Sequence, residues 1–85
     1  MSQPYSAARA RRASLVRKVI GENVREIRLH QGFTQAQFSK LLVGGPAHES
    51  YFRGIEAGLK EISLVRLVEI ADTMGVPVAR LLEGL

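Results

Sequence analysis

The side chains of this chain that could do chemistry are mostly arginines, and the residue types that catalytic sites need are sparse. There is no cysteine, so a thiolate nucleophile and a cysteine-based metal site are both excluded. The two histidines, His30 and His48, lack metal-ligand spacing, and the glycine-rich residues 44–46 lack the lysine of a phosphate-binding loop. The sequence therefore predicts a protein that is not an enzyme, with no metal and no cofactor.

Positive charge is concentrated at the start of the chain. Residues 1–30 contain seven Lys and Arg against two Glu, a net charge of +5, whereas residues 31–85 contain five against six, a net charge of −1. Clustered basic side chains gain free energy by releasing counterions from nucleic-acid phosphates. A polyanionic partner explains this layout, and a solubilising charged segment explains it equally well from charge alone.

Length and apolar patterning limit the architecture. With 85 residues the chain fits one small domain, which leaves little room for an enclosed catalytic cleft. Its longest uninterrupted apolar run, residues 41–43, is far shorter than the roughly 18 residues that span a bilayer. Together with the absence of cysteine, this predicts a cytoplasmic protein without a membrane partner.

Helix start and stop signals divide the chain into an arm and five helices. Residues 1–13 contain a proline and no apolar periodicity, and we interpret them as a flexible basic arm. The alternative is that the alanines of this segment extend the next helix. An amphipathic stripe from Ser14 predicts a first helix that ends at Gly32.

The second helix has the clearest start. Thr34 and Gln37 have the spacing of a capping box, and Phe33 is placed to pack against Phe38 as a hydrophobic staple. We expect this helix to stop at residues 43–46, where two glycines precede a proline.

Three further helices are bounded by the same kinds of start and stop signal. The third ends at Gly58, the fourth runs from its cap at Ser63 to Gly75, and the fifth begins at Pro77. No segment shows sustained period-two alternation, so the sequence predicts an all-α fold.

The order of these pieces resembles the lambda-repressor-like helix-turn-helix family, also called the XRE or Cro type. The fragments that carry the resemblance are IGENVREIR (20–28), GFTQAQFS (32–39), YFRGIEAG (51–58) and the helix between ISL (62–64) and MGV (74–76). The resemblance implies a five-helix DNA-binding domain over residues 14–85, preceded by the basic arm over residues 1–13. In such domains the third helix lies in the major groove and the second crosses the backbone.

The resemblance also implies which residues read bases. It assigns that role to four residues at the start of the third helix: His48, Glu49, Ser50 and Arg53. Arg53 can pair with guanine and Glu49 can accept from a cytosine amino group. Alternatively, Glu49 only stabilises the helix macrodipole, as a carboxylate near a helix N-terminus does without any DNA.

Further positions follow from the same resemblance. It implies DNA-backbone contacts at Gln35, Tyr51, Lys60 and Arg28, and a pair between Arg28 and Glu56. Arms of other DNA-binding domains enter a minor groove, so we expect minor-groove or phosphate contacts from Arg9, Arg11 and Arg12 of the arm. Alternatively, the arm is disordered and contributes only long-range attraction. The core positions that the resemblance implies are Phe38, Leu42, Phe52 and Ile55.

Two departures from the family pattern concern the third helix. The turn around residues 43–47 is about three residues longer than usual, which affects the angle of the reading helix. Gly54 is a poor helix former in the middle of that helix, and we expect it either to allow a close contact or to have no role.

Two functions remain open at this point. The first is a homodimeric transcriptional regulator on a palindromic operator, nucleoid-associated and similar to small controller proteins of restriction-modification systems and mobile elements. The second is an antitoxin or adaptor whose main partner is another protein, which a tail beyond the fifth helix would favour. The expected dimer contacts are apolar residues at the end of the chain, which otherwise close the monomer core: Val78, Leu81, Leu82 and Leu85.

Overall fold

The computed structural model describes residues 4–85, and this part of the chain consists of five helices joined by short loops. The helices are α1 (Pro4–His30), α2 (Gln35–Leu41), α3 (Glu49–Glu56), α4 (Leu64–Met74) and α5 (Val78–Leu81). No strand is present among these residues, so the predicted all-α class and the number of helices are confirmed.

The capping signals act as predicted. The Thr34 hydroxyl accepts from the Gln37 N–H at 3.0 Å, and the Gln37 side chain accepts from the Thr34 N–H at 2.9 Å. The ring centroids of Phe33 and Phe38 lie 6.2 Å apart, which forms the staple. Gly75 ends α4 with a φ of 72°, a left-handed conformation that glycine adopts without steric cost.

The start of α1 differs from the expectation of a flexible arm over residues 1–13. Residues 4–13 are helical and continue without a break into the predicted first helix; residues 1–3 lie outside the described part. This segment is rich in Ala and Arg, which have high intrinsic helix propensity, so it forms a helix although none of residues 6–13 is buried. At about 1.5 Å per residue, the 27 residues of α1 extend about 40 Å. Neither α1 nor any other helix within residues 4–85 is long and apolar enough to cross a membrane.

The core lies between α1 and α3, and all five helices contribute buried residues to it. The contact between α1 and α3 is close, since a Cβ built on Gly21 would lie 2.4 Å from the carbonyl oxygen of Ile55. Twelve buried apolar residues form one cluster: Ile20, Val24, Ile27, Phe38, Leu42, Phe52, Ile55, Leu67, Ile70, Ala71, Met74 and Leu81. All four core positions implied by the family resemblance are in this cluster. The fold therefore holds α3 by one face and leaves its other face exposed.

Candidate functional site

The outer face of α3 brings together all four residues assigned to base reading. His48 precedes the helix, while Glu49, Ser50 and Arg53 lie in its first turns, and all four are exposed. Phe52, Ile55 and Glu56 of the same helix are buried. Glu56 follows Glu49 by seven residues, so it lies on the same stripe of the helix, two turns further along. The helix therefore presents exposed polar residues at its start and is fixed in the core by Phe52, Ile55 and its last residue, Glu56.

Two of these exposed residues bind each other in the free protein. A nitrogen of the Arg53 guanidinium lies 3.0 Å from a carboxylate oxygen of Glu49, one helical turn away. Both side chains are about half exposed, at 59% and 46%. Exposed pairs of this kind contribute little stability, so either group can leave the other for a competing partner.

A second arginine–glutamate pair lies beneath α3 and is buried. Arg28 from α1 donates from Nε and Nη2 to the two carboxylate oxygens of Glu56, at 2.6 and 2.9 Å. Its Nη1 donates to the carbonyl oxygen of Phe33 at 2.6 Å. The side chains of Arg28 and Glu56 are only 6% and 2% exposed. The implied pair is present, but the assignment of Arg28 to the DNA backbone needs correction, because its donors face inward and are occupied.

Gln35 extends this buried pair to α2. Its side-chain amide donates to the Glu56 carboxylate at 2.9 Å, so one carboxylate joins α1, α2 and α3. A carboxylate can accept several hydrogen bonds at once, which suits Glu56 to this position. The network fixes the two helices of the helix-turn-helix against each other. Gln35 is half-buried in this network, beside the surface where a contact with the DNA backbone is expected.

Of the other two residues implied for DNA-backbone contacts, Tyr51 lies within α3 and Lys60 lies just after it. Tyr51 is half-buried, and its hydroxyl donates to the carbonyl oxygen of Glu61 at 3.1 Å. Lys60 is exposed, and its aliphatic stem crosses Gly54, where an added Cβ would lie 2.7 Å from Cγ of Lys60. Gly54 therefore allows the lysine to lie against α3, which accounts for its position in the middle of a helix.

The arginines of the expected arm lie on the exposed first part of α1. Arg9, Arg11 and Arg12 are all exposed, on a helical backbone. A helix with side chains is about 10–12 Å across, whereas the minor groove is about 6 Å wide. A phosphate contact suits this geometry, and insertion of the helical segment into a minor groove does not.

The apolar residues expected to form the dimer contact do not share one environment. Leu81 is completely buried in the monomer core, which corrects its assignment to an interface, and Val78 packs against that core. Leu82 and Leu85 remain partly exposed, at 36% and 44%. More exposed aliphatic surface lies on α4, where Leu64 and Val65 are 73% and 69% exposed.

Sequence reasoning missed the contacts that hold the turn between α2 and α3. Thr73 and Arg66 of α4 bind the backbone of this turn at Val43 and Gly45. The spacing of Arg66 and Glu69 suggests a pair along the helix, but nothing in the sequence indicates that the arginine also reaches the turn. Within residues 4–85 no group of three or more His, Cys, Asp and Glu could hold a metal ion.

Comparisons with known proteins agree with this geometry. A family model described as helix-turn-helix matches residues 24–81, which include α2 and α3. The crystal structure of the restriction-modification controller protein C.AhdI from Aeromonas hydrophila is similar to this chain, with a TM-score of 0.68 and 28% identity. That similarity covers 76% of this chain and 94% of C.AhdI. The search of curated proteins finds no match.

Proposed function

Because this chain belongs to the lambda-repressor-like helix-turn-helix family of DNA-binding transcription regulators, we propose that it acts as a homodimer on a palindromic operator, with α3 in the major groove. The observation that carries this proposal is the contrast between the exposed and the buried residues of α3. Its start presents four exposed polar residues together, while Phe52 and Ile55 are fixed in the core and Glu56 at its end is fixed by the buried pair with Arg28. A rigid helix with an exposed polar face suits base recognition, since reading needs a fixed geometry.

Direct base contacts come from the outer face of α3 in this proposal. Arg53 leaves Glu49 and donates to the two acceptors of a guanine, while the freed Glu49 accepts from a cytosine amino group. Both contacts replace an exposed ion pair of low stability, so the free energy lost on separation is small. His48 and Ser50 lie beside them and contact neighbouring base edges or phosphates.

Phosphate contacts position the domain on the duplex. Lys60 is placed beside α3 by its stem, and Gln35 at the start of α2 and Tyr51 in α3 are half-buried. The exposed arginines of α1 add long-range attraction and contact phosphates outside the region that α3 reads. The chain is non-enzymatic in this proposal, and it binds DNA without a cofactor.

A second copy of the chain is the proposed protein partner. One reading helix covers only a few base pairs, so two copies on half-sites about 34 Å apart are needed for a specific operator. The exposed aliphatic side chains of α4 and of the chain end support such a contact: Leu64, Val65, Val68, Leu82 and Leu85. C.AhdI is a restriction-modification controller protein, and that role supports a regulatory function here.

The experiment that tests this function is a selection from a pool of random duplexes, followed by a salt-dependent titration. The recovered duplex is compared with a scrambled duplex of the same length, and the mass of each complex is measured in parallel. We expect a palindromic consensus, strong preference for the recovered duplex and two chains per site. Weak binding without preference would contradict the proposal and favour the adaptor, whose main partner is a protein.

Two variants locate the dimer contact. Val65→Asp puts a charge on the exposed face of α4, and Leu85→Asp does the same at the chain end. A buried, unpaired charge is costly, so the variant at the true interface should be monomeric at concentrations where the wild type is dimeric. If both variants remain dimers, the contact lies on neither surface. If the wild type is a monomer on and off DNA, the homodimer is wrong.

A further inference from the structure

The turn between α2 and α3 is attached to α4 at three consecutive residues. It spans residues 42–48, with Leu42 buried at its start and His48 as the N-cap of α3. Within it, Val43, Gly44 and Gly45 each lie against a different side chain of α4. These side chains, Thr73, Glu69 and Arg66, lie along one side of that helix.

The first attachment is made by Thr73. Its hydroxyl oxygen accepts from the Val43 N–H at 3.0 Å and donates to the carbonyl oxygen of Glu69 at 2.7 Å. The donated bond within α4 fixes the rotamer of the hydroxyl, which leaves its lone pair aimed at the turn. The Val43 N–H thereby has a partner outside the turn itself.

The second and third attachments involve a pair of charged residues. Nη1 of Arg66 donates to the carbonyl oxygen of Gly45 at 2.9 Å and to the Glu69 carboxylate at 3.2 Å. Glu69 lies directly over Gly44, where an added Cβ would come within 1.4 Å of a carboxylate oxygen. Gly44 therefore leaves the space that the carboxylate occupies while it orients Arg66.

These attachments have a physical consequence for α3. A turn that is longer than the usual helix-turn-helix connection has more conformational freedom, and the angle of the following helix depends on it. Contacts from a helix in the rigid core remove that freedom. The turn also bonds back to α2, since the Ala47 N–H donates to the carbonyl oxygen of Ser39 at 2.9 Å. The first turn of α3 thus begins from a fixed point.

We propose that Thr73 and Arg66 are positioning residues for DNA recognition: by holding the lengthened α2–α3 turn on α4, they set the angle at which α3 presents its outer face. Neither residue touches DNA in this proposal, and both act through the turn. The inference rests on the proposed DNA-reading function. It adds two residues of α4, outside the helix-turn-helix, to those that determine sequence specificity.

The test compares three full-length variants in the duplex titration described above. Thr73→Val keeps the shape of the side chain but removes the acceptor for the Val43 N–H, and Thr73→Ser restores it. Ile20→Val is the matched control, because it shortens a buried side chain on α1, a different helix from the one that holds the turn. We expect Thr73→Val to reduce the ratio of affinities for recovered and scrambled duplex about tenfold, the effect of losing about one base contact. Thr73→Ser and Ile20→Val should keep the wild-type ratio.

Amide hydrogen exchange in the free protein provides a measurement that does not depend on DNA. The Val43 amide should exchange faster in Thr73→Val than in the wild type and in Thr73→Ser, while core amides remain protected. Unchanged Val43 exchange would contradict the attachment. Unchanged preference, despite faster exchange, would contradict the positioning role. An equal loss of preference in Ile20→Val would assign the effect to general stability and overturn the inference.

A fourth variant tests the part of the attachment that involves Arg66 and Glu69. Gly44→Ala places a methyl group where the Glu69 carboxylate lies, so the carboxylate must move and no longer orients Arg66. We expect the same loss of preference as in Thr73→Val; a wild-type ratio would remove Arg66 from the proposal. If the wild type itself shows no preference, the proposed function fails, and Val43 exchange still decides whether Thr73 holds the turn.

Discussion

The two ends of α3 each carry an arginine–glutamate pair, and the two pairs differ in almost everything except their chemistry. At the C-terminal end, Arg28 and Glu56 are almost completely buried and share two hydrogen bonds. In the first turns, Arg53 and Glu49 share one contact and are about half exposed. The same two residue types therefore hold the end of the helix in place and form an easily separated contact at its start.

Burial explains the difference. Two charges removed from water must remain paired, because a single buried charge without its partner is far less favourable than the intact pair. An exposed charge that loses its partner is solvated at once, so the pair separates at little cost. This contrast suits a helix that reads DNA. Its last turn has to be held rigidly, while the side chains of its first turns have to exchange partners.

The largest effect on the free energy of unfolding is expected for Glu56→Ala. The substitution leaves Arg28 buried without its carboxylate and also removes the acceptor of Gln35. Breaking a buried pair in this way costs about 3–5 kcal/mol, a large part of the roughly 5–15 kcal/mol that stabilises a typical domain. Urea unfolding measures the loss. The control, Glu49→Ala on the outer face, should lose less than about 1 kcal/mol. Equal losses of unfolding free energy in the two variants would show that burial does not distinguish the two pairs.

The second effect concerns recognition rather than stability. Arg53→Ala should weaken binding to the selected duplex by about 1–3 kcal/mol, the discrimination of one bidentate base contact, and reduce binding to scrambled DNA much less. Its unfolding free energy should stay near that of the wild type, since the side chain is exposed. Titrations against both duplexes measure the difference. Equal weakening on both would mean that Arg53 contacts phosphate only.

The sequence contains strong signals for the fold wherever local chemistry decides the structure. The box of Thr34 and Gln37, the staple of Phe33 and the cap at Ser63 are all present as predicted. Apolar periodicity reports only helices that bury a face, so it does not indicate the start of α1. Residues 6–13 include no buried residue, and their helix follows from the propensity of Ala and Arg, which the alternative of an extended first helix already allowed.

The site could be predicted only in part, for a different reason. Exposure of the four residues proposed to read bases follows from the register of α3, which the resemblance provides. The burial of Leu81 and the contacts of Thr73 and Arg66 with the turn depend on how distant helices pack. A local pattern does not contain that information, so these features needed the three-dimensional structure.

A smaller effect is expected at the edge of the outer face. Lys60→Ala should weaken binding to all duplexes alike and reduce the slope of log affinity against log salt by about one, as expected for one phosphate contact. Lys60→Arg keeps the charge and should keep the slope. Salt titrations on the selected and scrambled duplexes measure both. A loss confined to the selected duplex would place Lys60 among the base-reading residues instead.

The smallest effect is the coupling between Arg53 and Glu49 themselves. Glutamate one turn before arginine is the favourable orientation on a helix, and such exposed pairs contribute about 0.3–0.5 kcal/mol. A double-mutant cycle with Arg53→Ala and Glu49→Ala, measured by urea unfolding, isolates this coupling from the other effects of each change. The coupling should decrease with added salt, because mobile ions screen exposed charges. A coupling above about 2 kcal/mol would show that the pair of Arg53 and Glu49 also resists separation. DNA would then have to displace a strong contact before Arg53 could read a base.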